Sequence, residues 1–191
     1  MKSYVIRLSD YENSVQWAQN AYDTAKKFNW DIEYFEGTDG TKTSLHEFGV
    51  KVNTKFKKGA RYLEKPGVIG CFLSHYRLWK KCIEINEPIC ILEHDVTIRG
   101  TFPHLEFVDA IKIATGPKAK HIYAGNWYEG AMAYCVTPEG ATKLVNFVDT
   151  EGAMPADVML CDGLLDLKFY DPINSVVTYV TDEFSFTRDL V

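Results

Sequence analysis

Ile89-Cys90-Ile91-Leu92-Glu93-His94-Asp95 is the segment that most strongly indicates the fold. Four consecutive apolar residues are typical of a strand that is buried on both faces, as in a parallel sheet covered by helices. Two acidic residues, Glu93 and Asp95, follow at its carboxyl end, where open α/β sheets bind their ligands. Carboxylates at this edge can hold a hard divalent cation. The spacing alone fits a solvated strand end with a turn-forming aspartate equally well, and we expect His94 to point the other way.

The segments on either side of this strand alternate between strand and helix patterns. The pattern predicts strands over residues 4–8, 31–35, 121–124, 131–136 and 176–180. It predicts helices over residues 15–28, 66–85, 107–114, 138–148 and 157–167, with a long loop over 44–60. This order predicts a single α/β domain over residues 1–191, with a mostly parallel central sheet flanked by helices.

Composition narrows the classes of partner. The chain has 191 residues, 46% of them hydrophobic, and a net charge of -5, which argues against nucleic acid or an anionic membrane as the main partner. An anionic small molecule is still a possible ligand, because a bound cation can reverse the local electrostatic field. The five cysteines are odd in number and widely spaced, as expected for reduced thiols. With no apolar stretch long enough to span a bilayer, we expect a cytoplasmic location.

A second informative segment, residues 67–79, precedes the strand and has glycines at positions 67 and 70. Glycines at a helix start allow close backbone approach, and the free N–H groups there favour anions. The simpler interpretation is packing, with Gly70 against the sheet and Trp79 in the core. Ser74 and His75 are adjacent, so their side chains cannot face each other on a helix, and a catalytic Ser–His pair is not expected.

Together these segments resemble glycosyltransferase family 25, the lipooligosaccharide and collagen galactosyltransferase family. Its signature is a Gly-x-x-Gly-Cys-x-x-Ser-His helix with a later Trp, then an apolar strand that ends in Glu-Asp-Asp. Residues 67–79 and 91–95 match it, and residues 36–40, 130–141 and 155–157 resemble other family segments in the same order. Two positions depart from the pattern: His94 stands where the family has its middle Asp, and Arg7 where it usually has Asn.

The resemblance implies a GT-A-like fold and a glycosyltransferase of the kind used in lipopolysaccharide biosynthesis. A hexose, galactose or glucose, would move from a UDP-sugar donor to a hydroxyl of a glycan or protein acceptor, with inversion at the anomeric carbon. A manganese or magnesium ion would be held first by Asp95 and second by Glu93. The resemblance places the donor contacts on the signature helix and the strand ends, at Leu8, Thr38, Gly70, Ser74, His75 and Glu93.

Inverting transfer also needs a general base that takes the proton of the acceptor hydroxyl. Asp157 is the expected base and Asp162 the alternative, although a helix cap after Pro155 explains Asp157 equally well. Two other functions stay open at this point. One is an inactive module that binds a sugar or nucleotide, and the other is an unrelated metal-dependent phosphohydrolase or nucleotidyltransferase.

Overall fold

The computed structural model describes residues 1–55, 62–114, 118–121, 125–128, 130–170 and 175–180. Its strands are β1 Lys2–Arg7, β2 Ile32–Glu36, β3 Ile89–Leu92, β4 Val96–Ile98, β5 Ala110–Ala114, β6 Lys118–His121, β7 Gly125–Tyr128, β8 Ala133–Val136, β9 Leu167–Phe169 and β10 Val177–Tyr179. Its α-helices are α1 Glu12–Lys27, α2 Pro66–Ile85, α3 Pro138–Glu151 and α4 Ala156–Met159, with short 3-10 helices at Leu45–Phe48 and Tyr62–Glu64.

A six-stranded sheet in the order β2-β1-β3-β8-β5-β9 forms the centre of the described structure. Five of these strands run in the same direction, and β8 runs antiparallel to both of its neighbours, β3 and β5. The predicted α/β class with a mostly parallel sheet is therefore confirmed. Two further ladders, β10 with β4 and β6 with β7, lie outside this sheet.

Helices cover the sheet on both faces, so the buried residues form two apolar layers. The layer on one face contains residues of α2, α3 and α4, and the layer on the other contains the alanines of α1. Strand β3 supplies Ile89 and Ile91 to the first layer and Cys90 and Leu92 to the second. All four are fully buried, as the unbroken apolar run predicts. No helix in the described ranges is sufficiently long and apolar to span a bilayer.

Two of the predicted helices are wrong. The segment 107–114 contains the buried strand β5, because an apolar run does not distinguish strand from helix and the distant strands β8 and β9 supply its pairing. The helix expected over 157–167 is only the short α4, after which a turn leads into β9. The strand expected over 121–124 overlaps β6 only at His121, and residues 122–124 lie outside the described residues, as do 56–60 of the predicted loop.

The loop after β2 packs closely on the first turns of α2. A Cβ atom at Gly70 would lie 2.5 Å from the carbonyl oxygen of Thr38. Gly70 therefore faces this loop, and the expectation that it packs against the sheet is wrong. Ser74 Oγ accepts a hydrogen bond from the Thr38 N–H at 2.8 Å and donates to the Gly70 carbonyl at 2.7 Å. Arg77 donates to the Glu36 carbonyl at 2.9 Å. The loop is therefore anchored at the carboxyl edge of the sheet.

Candidate functional site

The carboxyl ends of three neighbouring parallel strands place three of the predicted site residues along one edge. Leu8 directly follows β1, Thr38 lies two residues beyond β2, and Glu93 directly follows β3. This is the edge at which open α/β sheets bind ligands.

Glu93 is held at this edge by contacts to both its backbone and its side chain. Its N–H donates to the Met132 carbonyl at 2.8 Å, which extends the pairing of β3 with β8. Its Oε1 atom lies 3.4 Å from Cys71 Sγ, which donates to it, and 3.4 Å from His75 Nε2. Burial acts to raise the pKa of Glu93, but the His75 imidazole, with smaller effects from His94 and Cys71, holds that pKa below its usual range. The side chain is therefore a carboxylate at neutral pH.

Asp95 lies in the turn between β3 and β4. The direction of its side chain therefore does not follow from the rule that alternate residues of a strand share a face. Its Oδ1 atom is buried and makes no hydrogen bond within the described part of the chain. Burial first, and then the negative charge of Glu93, raises the pKa of Asp95 to about 7. A divalent cation can satisfy a buried carboxylate oxygen that has no partner and lies near a second carboxylate. The residues present therefore fit a divalent metal ion.

His94 points into the opposite layer, as predicted. Its ring stacks on Trp17 of α1, with centroids 5.5 Å apart, and its Nδ1 lies 3.2 Å from Ser14 Oγ. The Ser14 hydroxyl also accepts a hydrogen bond from the Leu8 N–H at 2.9 Å. Burial lowers the pKa of His94, and the Glu93 charge opposes that effect. The residue that departs from the family's acidic triplet thus contacts α1.

Asp157 comes from another segment but lies close enough to Glu93 for their charges to interact. It occupies the first turn of α4, where its Oδ1 accepts a hydrogen bond from the Val158 N–H at 2.9 Å, while Pro155 holds the N-cap position itself. Burial raises the pKa of Asp157, the positive charge of Lys112 opposes this, and the negative charge of Glu93 adds to it. Asp162, the alternative base, is exposed in the turn after α4.

Lys112 is the residue of this site that sequence reasoning missed. It is fully buried on β5, directly opposite Tyr134 of β8, on the face of the sheet that α2 covers. Burial lowers the pKa of Lys112 to about 8, while the carboxylates of Asp157 and Glu93 oppose that shift. The sequence shows a single lysine within an apolar run, which is unusual for a buried segment. The helix predicted over 107–114 gave no reason to place that lysine at the site.

Two of the predicted donor contacts are buried beneath the edge. Ser74 and His75 are 2% and 0% exposed. Their observed contacts are with protein groups, Thr38 and Gly70 for Ser74, and Glu93 and Tyr134 for His75. They position residues of the edge, and direct contact with a donor stays a prediction for both.

Comparison with known proteins gives one family. The family model described as "Glycosyltransferase family 25 (LPS biosynthesis protein)" matches residues 1–130. A "Glycosyltransferase 25 family member" of Aedes aegypti is 26% identical over 182 residues, which cover 81% of this chain and 29% of that protein. Human "Procollagen galactosyltransferase 2" is 24% identical over 159 residues, covering 68% of this chain and 25% of that protein. The chain therefore spans between a quarter and three tenths of the length of these relatives.

A solved structure supports the fold independently of sequence. A Drosophila β1,4-galactosyltransferase 7 mutant, in complex with manganese, UDP-Gal and xylobiose, superposes with a TM-score of 0.50. The match covers 100% of this chain and 74% of that one at 9% sequence identity. At that identity the likeness concerns the fold alone, and it confirms the predicted GT-A-like architecture.

Proposed function

The chain belongs to glycosyltransferase family 25, and from this premise we propose that it is a metal-dependent hexosyltransferase. It moves galactose or glucose from a UDP-sugar to a hydroxyl of a glycan or protein acceptor and inverts the anomeric centre. The named relative that is a procollagen galactosyltransferase supports the choice of a hexose and of a glycosylated or protein acceptor.

The observation that carries the proposal is the pair Glu93 and Asp95 at the carboxyl edge, with Asp95 Oδ1 buried and without a hydrogen bond in the described structure. These two carboxylates would hold the cation, Asp95 first. When bound, manganese or magnesium supplies a Lewis acid that stabilises the departing diphosphate. The presence of manganese with UDP-Gal in the Drosophila structure supports this assignment.

Asp157 is the proposed base. It belongs to α4 and not to the β3 end, so it can approach the acceptor from a different side than the two acids. A base works best when its pKa lies near the working pH, and burial together with Glu93 raises the pKa of Asp157 in that direction. Its carboxylate would take the proton of the acceptor hydroxyl while that oxygen bonds to the anomeric carbon. Asp162 stays the alternative.

The test is product analysis with the purified chain, manganese, and UDP-Gal or UDP-Glc, with and without a panel of glycan and peptide acceptors. We expect slow release of UDP that rises when the acceptor is added, and a glycoside of inverted configuration by NMR. Nucleotide-sugar binding without UDP release would indicate an inactive binding module instead. Release of a sugar phosphate would indicate a phosphohydrolase.

A further inference from the structure

Two buried hydrogen bonds, followed by a close polar approach, connect Trp79 to Glu93. Trp79 Nε1 donates to the Tyr134 hydroxyl at 2.7 Å, and that hydroxyl lies 2.9 Å from His75 Nδ1. The His75 ring is stacked on the Tyr134 ring, and its other nitrogen, Nε2, lies 3.4 Å from Glu93 Oε1. Trp79, Tyr134 and His75 are all fully buried, and His75 Nε2 makes no hydrogen bond in the described structure, so the Glu93 carboxylate is the acceptor group within its reach.

The direction of each bond follows from what each group can donate. The indole N–H of Trp79 can only donate, so the Tyr134 oxygen accepts there. Burial raises the pKa of Tyr134 well above its usual range, so the hydroxyl keeps its own hydrogen. Within the described contacts, His75 Nδ1 is the acceptor for that hydrogen. Nδ1 is therefore without a hydrogen, and the ring carries its hydrogen on Nε2, facing Glu93.

Cys71 approaches the same oxygen. Both its sulfur and His75 Nε2 contact Oε1 of Glu93, and in the described structure neither contacts Oε2. Cys71, His75 and Glu93 are close enough to bind one metal ion together, with their ligand atoms within 4.8 Å of one another. However, the Cys71 thiol donates a hydrogen bond to Oε1, and the hydrogen on His75 Nε2 faces the same oxygen, so both groups present hydrogens to the carboxylate.

We propose that Trp79, Tyr134 and His75 are positioning residues that hold Glu93 Oε1, so that Glu93 serves the cation and donor through Oε2 alone. This rests on the proposed function, in which Glu93 is a ligand of the site. The Tyr134 hydroxyl is the critical link, because it sets which His75 nitrogen faces Glu93.

The first test needs no catalysis. Long-range ¹H–¹⁵N correlation spectra of the full chain labelled in histidine report which ring nitrogen carries the hydrogen, and His75→Gln identifies the His75 signals. We expect hydrogen on Nε2 and none on Nδ1 in the wild type, and a changed His75 pattern in Tyr134→Phe. Hydrogen on Nδ1 with a bare Nε2, or on both nitrogens, would overturn the proposal even if the chain is a working transferase.

The second test measures manganese affinity in the presence of UDP, from the EPR signal of free Mn²⁺. Loss of a partner that orients a metal ligand typically costs about 10–100-fold in affinity, and we expect Tyr134→Phe to weaken binding within this range. Tyr76→Phe is the matched control, because Tyr76 is also a buried tyrosine and its hydroxyl contacts Asp149 at 3.3 Å. Equal affinities of these two variants would contradict the proposal. If the wild type bound no manganese, the proposed function would fail, and the histidine spectra would still decide the hydrogen-bond chain.

Discussion

Glu93 and His94 are neighbours in sequence, yet they belong to different regions of the molecule. Glu93 lies on the α2 side of the sheet, within contact of Cys71 and His75 and near the charges of Asp157 and Lys112. His94 lies on the α1 side, against Trp17 and Ser14. The first region collects ionisable groups from four elements, whereas the second is a stacked and hydrogen-bonded contact.

The difference supports the proposed function, because the residue that departs from the family's acidic triplet, His94, contacts the α1 side. The departing residue contacts α1, while Glu93 and Asp95 keep their places at the sheet edge. We therefore propose that the chemistry takes place on the α2 side and that the α1 side has a supporting role.

The largest effect is expected for Asp95→Asn, which removes the charge but keeps the shape of the side chain. A cation contributes several kcal/mol of transition-state stabilisation, so transfer should fall by about a thousandfold. Initial rates of UDP release with acceptor measure this. Asp31→Asn, at the opposite end of β2 and exposed, is the control and should retain full activity. A substantially active Asp95→Asn enzyme would mean that Asp95 does not hold the metal.

The next effect is expected for Asp157→Asn, which removes the proposed base. Transfer should fall by about a hundredfold or more while donor affinity and manganese dependence are kept, because the loss concerns only the acceptor proton. Steady-state kinetics with donor titration separate the two quantities. A large loss in the paired variant Asp162→Asn, with an active Asp157→Asn, would move the role to Asp162.

A smaller effect, which depends on pH, is expected for Lys112→Met. The positive charge of Lys112 acts against the raised pKa of Asp157, so its removal should raise that pKa further. The base would then ionise at higher pH, and the acid limb of kcat/KM should move upward. A shift of about one pH unit would mean about a tenfold loss on that limb. Lys168→Met, an exposed lysine on the neighbouring β9, should leave the profile unchanged. An unchanged acid limb in Lys112→Met would show that Lys112 does not influence the pKa of the base.

The smallest effect on transfer is expected for His94→Asp, which restores the family's triplet. The loss of the stack on Trp17 should cost about 0.5–1.5 kcal/mol of stability, which corresponds to a few degrees in Tm. Transfer should change by no more than about threefold, since the side chain lies on the α1 side. Thermal unfolding and initial rates measure both. A loss as large as that of Asp95→Asn would place residue 94 in the acid site.

Local patterns predicted the elements that carry their own signal. The apolar run of β3, the periodic α1 and the proline-initiated α2 and α3 are all found within a few residues of their predicted bounds. Strand β5 was missed because its identity depends on β8 and β9, which are distant in sequence. Lys112 was missed for the same reason, since lysine is rarely fully buried unless it is paired, and the carboxylates that act on its pKa belong to residues 93 and 157.

The contacts within the site were also beyond local reasoning. Glu93 and Asp95 were predicted from their place after a buried strand. That His75 faces Glu93, and that Ser74 anchors the Thr38 loop, depends on how α2 crosses the sheet edge. Adjacency in sequence correctly excluded a Ser74–His75 pair, but it could not supply the partners of either residue.

A thermal-shift comparison with UDP and manganese most directly tests the claim that the acids on the α2 side bind a metal-associated nucleotide donor. At a ligand concentration about a hundredfold above its Kd, binding stabilises the fold by about 2.7 kcal/mol. We predict that UDP stabilises the wild type and His94→Asp more strongly with manganese than without it, and that Asp95→Asn loses this manganese-dependent part. No shift in the wild type with any nucleotide or nucleotide sugar, or an equal manganese-dependent shift in Asp95→Asn, would contradict the claim.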